Sequence, residues 1–259
     1  MKKLFTLFLA FFCLIAFSCQ KTTVTINKVE DLSNKKIGVQ SGTTGETYVQ
    51  ENFPKAKISS FKTGMDAALD LKNGAIDAVI LDELPAKEIV SKNPALTIID
   101  VDLTTEAYAI AVKKDNTELL NSINATIATM RTNGDYEKLV NSFMPIDGKI
   151  IVPQSLELSG EKTIRLGTNA AFPPFEYVDG KNIVGFDITM GQYIAKDFAT
   201  KLEIVDMAFD SLIPALASGT IDFIAAGMSV TEERKKNVDF SDPYYESKQV
   251  IIIRNDTTK

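Results

Sequence analysis

Two stretches of the chain, Asn73-Gly74-Ala75-Ile76-Asp77-Ala78-Val79-Ile80 and Ser218-Gly219-Thr220-Ile221-Asp222-Phe223-Ile224-Ala225, share one pattern. In each, a helix stops at Gly, a small or hydroxyl residue follows, and Ile-Asp leads into an apolar run. A helix followed at once by a buried strand belongs to an α/β architecture. Two explanations stand for the recurrence. Turns from helix to strand converge on such residues, or the chain holds an internal repeat of two similar lobes facing one another.

The rest of the sequence extends the alternation. Apolar patterning predicts strands at 36–40, 57–61, 78–81, 96–101 and 107–112, with helices at 47–52, 65–72, 84–91, 119–131 and 136–143. Residues 145–162 are irregular, with Pro153 and a polar end at Ser159-Gly160-Glu161-Lys162, and read as a linker. A second series follows: strands at 163–167, 202–205, 221–225 and 249–253, helices at 187–198 and 211–217, and an aromatic, proline-rich loop at 169–177. Short alternating units imply sheets covered by helices, with a ligand site at the carboxyl ends of the strands.

At its start the chain has Met1-Lys2-Lys3, an apolar run from Leu4 to Phe17, and Ser18-Cys19. That order is the anatomy of an export signal, so residues 1–18 read as a signal peptide. The junction resembles a lipobox, which implies lipidation of Cys19, a tether over 19–25 and a membrane-anchored periplasmic or cell-surface lipoprotein. It departs from the commonest lipobox at Ala16 and Phe17. Cys13 lies inside the apolar run, so the mature chain holds no internal disulfide.

The full sequence has 28 basic and 34 acidic side chains, and losing Lys2 and Lys3 makes the balance more acidic. That argues against nucleic acid as a partner. There is no histidine, which excludes histidine triads and histidine metal sites, and no calcium-loop spacing occurs. No metal, cofactor or catalytic residue is expected.

One turn invites a ligand. Ile224-Ala225-Ala226-Gly227-Met228 runs into Ser229-Val230-Thr231-Glu232-Glu233-Arg234, with Ser229 and Glu232 at capping-box spacing. Backbone N–H groups, a hydroxyl and a guanidinium at one helix start suit a small carboxylate; the plainer reading is a capped helix with a surface arginine. The strand 36–40 enters a similar turn, Ser41-Gly42-Thr43-Thr44-Gly45-Glu46, where Thr43 and Glu46 have the same spacing. No Lys follows at the P-loop position.

Several motifs together resemble a periplasmic amino-acid-binding protein, the solute receptor of an ABC importer. They are Gly167-Thr168-Asn169-Ala170-Ala171-Phe172-Pro173-Pro174-Phe175-Glu176-Tyr177, Gly185-Phe186-Asp187, Leu212-Ile213-Pro214-Ala215-Leu216, the turn from Gly227 to Arg234, and Phe240-Ser241-Asp242-Pro243-Tyr244-Tyr245. Lys36 to Thr47, Asp77 to Glu83 and Asn133-Gly134-Asp135-Tyr136-Glu137-Lys138-Leu139 extend the likeness. The order is exchanged, since the family's first portion resembles 163–255 here and its later portion 26–144. The resemblance therefore implies a circular permutant of a two-lobed type II binding-protein fold with a hinge of extended crossings. Residues 26–104, with about 252–259, would form the second lobe and 107–251 the first, with 145–162 joining the family's usual ends.

The resemblance also implies a site and a role. Arg234 would hold an amino-acid carboxylate, helped by Ser229, by donors near Ala226 and Gly227, and by Thr43 and Thr44; Asp82 would take the ammonium from the other lobe. Phe172 and Phe209 would flank the side chain, with Gln40 and Glu176 nearby. Asn169 stands where receptors for basic side chains carry an aspartate, which points to a polar, uncharged amino acid. The expected partners are that free amino acid, an ABC permease and, through lipid, the membrane, with the protein a monomer. The competing class is an enzyme on the same scaffold, such as a cyclohexadienyl-type dehydratase, which would need a poised acid or base; Asp82 and Glu176 are the candidates.

Overall fold

The computed structural model describes residues 26–99, 101 and 103–255. Residues 1–25, where an export signal, lipidation at Cys19 and a tether are expected, lie outside the described residues. The first half runs β1 (Lys36–Gln40), α1 (Thr44–Asn52), β2 (Lys57–Phe61), α2 (Gly64–Asn73), β3 (Ala78–Asp82), α3 (Glu83–Ser91) and β4 (Leu96–Ile99). A crossing follows, β5 (Glu106–Tyr108) and β6 (Ala111–Lys113), then α4 (Thr117–Asn133) and α5 (Asp135–Phe143).

The second half opens with β7 (Thr163–Thr168), β8 (Ala171–Phe172), β9 (Glu176–Asp179), β10 (Asn182–Val184), α6 (Phe186–Asp197) and β11 (Lys201–Asp206). It continues with α7 (Leu212–Ser218), β12 (Phe223–Ile224), α8 (Glu232–Lys235), β13 (Val238–Phe240), β14 (Tyr245–Ser247) and β15 (Gln249–Arg254).

Two five-stranded sheets carry the molecule, ordered β2-β1-β3-β15-β4 and β11-β7-β12-β6-β13. They share a plan. β1 lies parallel between β2 and β3, and β7 lies parallel between β11 and β12. Each sheet then receives one strand from elsewhere in the chain, which pairs antiparallel on both sides: β15 between β3 and β4, and β6 between β12 and β13. The crossings that deliver them pair with each other, Tyr245 opposite Tyr108 in the β14–β5 ribbon.

The repeated residues do equal work in both halves. Asp77 accepts from the backbone N–H of Lys36 at 2.9 Å, and Asp222 from that of Arg165 at 2.8 Å, near the starts of β1 and β7. Ile76 lies on Gly38 of β1 and Ile221 on Gly167 of β7, so tightly that a Cβ on either glycine would meet the isoleucine at 2.5 and 2.2 Å. Gly74 and Gly219 end their helices in the left-handed conformation at φ 79° and 77°. The same packing solution thus occurs twice.

β3 shows why such strands read as unbroken apolar runs: every residue of Ala78–Asp82 is buried. Ala78 and Ile80 pack with Ile37, Val39, Val49 and Ile251 on one face; Val79 and Leu81 pack with Ala67, Leu71 and Ile252 on the other. A sheet covered on both faces has no polar side to show.

The structure differs from expectation in places. The strand expected at 107–112 is interrupted into β5 and β6, and that at 221–225 shortens to Phe223–Ile224. The loop 169–177 holds β8 and the start of β9, part of a small antiparallel sheet, β10-β9-β8. Residues 149–160 form no regular element; the backbone N–H of Ile151 reaches the carbonyl of Ser142 and that of Leu156 the Gln192 side chain, both at 3.0 Å.

Candidate functional site

The carboxyl ends of β1, β3, β7 and β12 converge on one narrow, largely enclosed cavity. Its wall brings together every ligand-binding candidate named from the sequence. Gln40, Thr43, Thr44 and Asp82 come from the first half; Asn169, Phe172, Phe209, Ala226, Gly227, Ser229 and Arg234 come from the second, with Glu176 beside them. Recesses elsewhere are more open to solvent, and one of them shares Thr43, Thr44 and Arg234 with the cavity.

Arg234 is held from several sides. Thr231, not Ser229, caps α8, accepting from the Arg234 backbone N–H at 3.1 Å. The Ser229–Glu232 capping box therefore does not form, because the helix starts two residues later than that spacing requires. The guanidinium donates to the carbonyl of Ser229 at 2.7 Å and to that of Gly42 at 3.0 Å, and lies 5.3 Å from the centre of the Phe209 ring. Burial lowers its pKa, and the nearby Glu106 and Asp82 oppose that shift. It stays charged, as guanidinium does in proteins.

Asp82 ends β3 in the N-cap position of α3, yet its side chain makes no capping bond. It accepts instead from the Tyr108 hydroxyl, from Gln249 Nε2 at 2.8 Å and weakly from the Ser247 hydroxyl at 3.4 Å. Burial, reinforced by the Glu106 charge, pushes its pKa up to about 7 despite those donors. A cation placed beside it would reverse that shift.

Glu176 is the outlier. It is buried at the head of β9, and neither carboxyl oxygen has a hydrogen-bond partner among the described residues. Burial, with Asp187 and Asp82 nearby, pushes its pKa well above the ordinary carboxyl range. An unpartnered buried carboxyl is costly to the fold unless a donor or cation meets it.

Asn169 and Gln40 touch across the cleft. Gln40 Nε2 donates to Asn169 Oδ1 at 2.9 Å, while Asn169 Nδ2 donates to the Met207 carbonyl at 2.8 Å. Phe172 packs on Phe175 with ring centres 5.9 Å apart, so it belongs to the core as well as to the wall. Thr43 caps α1, accepting from the Glu46 N–H at 3.3 Å, and gives its proton to the Gln40 carbonyl at 2.7 Å.

Two expected donors are engaged elsewhere. The Gly227 N–H donates to Asp187 at 2.8 Å, and the Ser229 hydroxyl donates to Glu106. Asp187 also accepts from the Tyr244 hydroxyl at 2.6 Å, and burial pushes its pKa up to about 7. Asp187, Glu106, Tyr108 and Gln249 were not singled out as site residues. Glu106 carried a faint signal, as an acid at the edge of an apolar strand.

Residues 164–259 match the family described as bacterial extracellular solute-binding proteins, family 3. That match covers little more than a third of the chain. The arginine-binding extracellular protein ArtP of Bacillus subtilis (strain 168) is 46% identical over 99 residues, 38% of this chain and 39% of the relative. A probable histidine-binding protein of Neisseria gonorrhoeae is 42% identical over 93 residues, 36% of this chain and 35% of the relative. The crystal structure of the arginine-bound form of domain 1 from TmArgBP is 48% identical, covering 37% of this chain and 82% of that one, at a TM-score of 0.32. The chain thus spans about two fifths of the length of the curated relatives it matches. These relatives of the solute-binding segment are named as binding proteins, not enzymes.

Proposed function

We propose that the chain is an extracytoplasmic receptor that encloses a free amino acid and delivers it to an ABC permease. The observation that carries this reading is the placement of Arg234 and Asp82 on opposite sides of one enclosed cavity, each brought by a different sheet. A buried amino acid needs an anion and a cation as partners, and these are the two supplied. Arg234 takes the carboxylate and Asp82 the ammonium. The Ser229 hydroxyl, expected to help hold the carboxylate, gives its proton to Glu106 instead.

The ligand in this reading carries a cationic side chain, which replaces the polar, uncharged one expected from Asn169. Asn169 is already engaged by Gln40 and Met207, so it is a poor selector. Glu176 has no partner and lines the same cavity, so carboxylate, ammonium and side-chain cation would meet Arg234, Asp82 and Glu176 in turn. The relatives named for arginine and histidine agree with that count of charges.

In this reading the lobes are those of a circular permutant: residues 26–104 with β15 form one and 107–247 the other, which moves the expected boundary at 251 back to the start of β15. The pairing of β15 with β3 and β4 supports this division. Lipidation of Cys19, anchorage to the membrane and action as a monomer complete the reading.

Thermal-shift screening against the common amino acids, followed by an assay for consumption of each hit, tests it. Arginine or lysine should raise the melting temperature and be recovered unchanged. Stabilisation by uncharged amino acids alone would defeat the cationic assignment, and consumption of the hit would favour the dehydratase-type alternative.

A further inference from the structure

Glu106 lies buried on the hinge ribbon, outside the cavity wall, and its carboxylate collects hydroxyl donors from both halves of the molecule. Thr44, at the start of α1, donates at 2.9 Å to the oxygen that also accepts from Ser229, in the turn after β12. Thr104, on the crossing itself, donates to the other oxygen at 2.9 Å. Thr44 and Ser229 line both the cavity and an open groove, whereas Glu106 lines the groove and not the cavity. The carboxylate therefore makes no contact with a ligand in the cavity except through those hydroxyls, while its charge also acts on Asp82 and Arg234.

An ionised carboxylate only accepts, so both hydroxyl protons are committed to it. The bonds from Thr44 and Ser229 exist together only when the two halves are apposed, because β1 and β12 belong to different sheets. The Thr44 oxygen also accepts from Gln249 Nε2 at 3.3 Å, and that amide reaches Asp82 at 2.8 Å. One hydrogen-bonded path thus runs from Ser229 through Glu106, Thr44 and Gln249 to Asp82.

We propose that Glu106 is a positioning residue, a buried latch that holds the turns at Thr44 and Ser229 together in the closed state without touching the ligand. The proposal rests on the receptor reading above. Loss of the latch should speed ligand release far more than it slows capture, because the bonds form only after the halves meet.

The test measures arginine binding to the full chain by calorimetry and stopped flow, with small-angle scattering in the presence and absence of arginine. Glu106→Gln keeps the shape and removes the charge that makes these bonds strong; affinity should fall by about tenfold or more, nearly all of it in faster release. Combined with Ser229→Ala it should cost less than the two separate losses together, since both remove one bond. Affinity within about twofold of wild type, or full additivity, would overturn the latch. Should the wild type bind no amino acid, the receptor reading fails by itself. The latch is then judged on ligand-free scattering, where a larger radius of gyration for Glu106→Gln supports it and an equal one refutes it. Thr44→Val, judged by the same criteria, replaces Glu106→Gln if that variant does not fold.

Discussion

Arg234 donates to the carbonyl oxygen of Gly42 at 3.0 Å, a residue 192 positions earlier on the far side of the cleft. The guanidinium proposed as the carboxylate partner is thus also a closure contact, with the Phe209 ring beneath it. Arg234→Lys keeps a charge but loses the planar fork and the stacking, and amino-acid affinity should fall by about 100-fold. Titration calorimetry gives the number; a loss of less than about fivefold would mean that Arg234 does not hold the ligand.

Gly42 makes closure sensitive to one methyl group. Its φ is 76°, and a Cβ there would stand 2.9 Å from Cβ of Asp210 on the opposite half. Gly42→Ala strains the backbone by about 1 kcal/mol in any state and adds the collision only when the halves meet. Ligand affinity should drop by more than the unfolding free energy of the ligand-free protein does. Equal losses in calorimetry and urea denaturation would locate the effect in the fold alone.

Buried acids set the pH dependence of stability. Asp82 and Asp187 have pKa values raised to about 7, and burial raises Glu176 well above the ordinary carboxyl range. A raised carboxyl pKa means that the folded state binds more protons than the unfolded state, so stability falls as pH climbs from about 4 through 7. Glu176→Gln removes one such group. Its melting temperature should exceed that of wild type at pH 8 and match it near pH 4, while its preference for arginine over glutamine shrinks. Parallel melting curves for the two proteins across that range would count against an ionising, unpartnered Glu176.

Binding should follow the opposite slope. Pairing with a ligand ammonium requires ionised Asp82, so capture at pH 6 releases protons and affinity for arginine rises between pH 5 and 8. Calorimetric heats that change with the ionisation enthalpy of the buffer would reveal the release. Asp82→Asn should abolish most of it and weaken binding by about 100-fold, through a buried ammonium left without its counter-charge. Proton release unchanged in Asp82→Asn would assign it to another group.

The regular frame was legible wherever burial and backbone chemistry act locally. The apolar runs at 36–40 and 78–81 and the glycines at 74 and 219 predicted strands and stops that stand in the structure. Elements held by partners far along the chain were not. The two residues of β8 become a strand only because β9 pairs with them, and β13 and β14 depend on β6 and β5. Single side chains divide the same way. Local patterning predicts the strand end at Asp82 and the helix start at Arg234, whereas their joint place in one site came from the resemblance. The Ser229 cap failed because Thr231 competes for the same role, and Glu106 reads as a solvent-facing acid until the ribbon buries it.

The place of β15 has a consequence for how the molecule comes into being. Ile251 sits opposite Ile80 of β3 on one side and Ile99 of β4 on the other. β1 to β4 leave the ribosome early, but the gap between β3 and β4 stays open until residue 254 has been made. During that interval the backbone edges of two apolar strands lack their partner, a state prone to pairing with another chain. The nascent protein therefore depends on whatever shields that gap while the second sheet is still being synthesised.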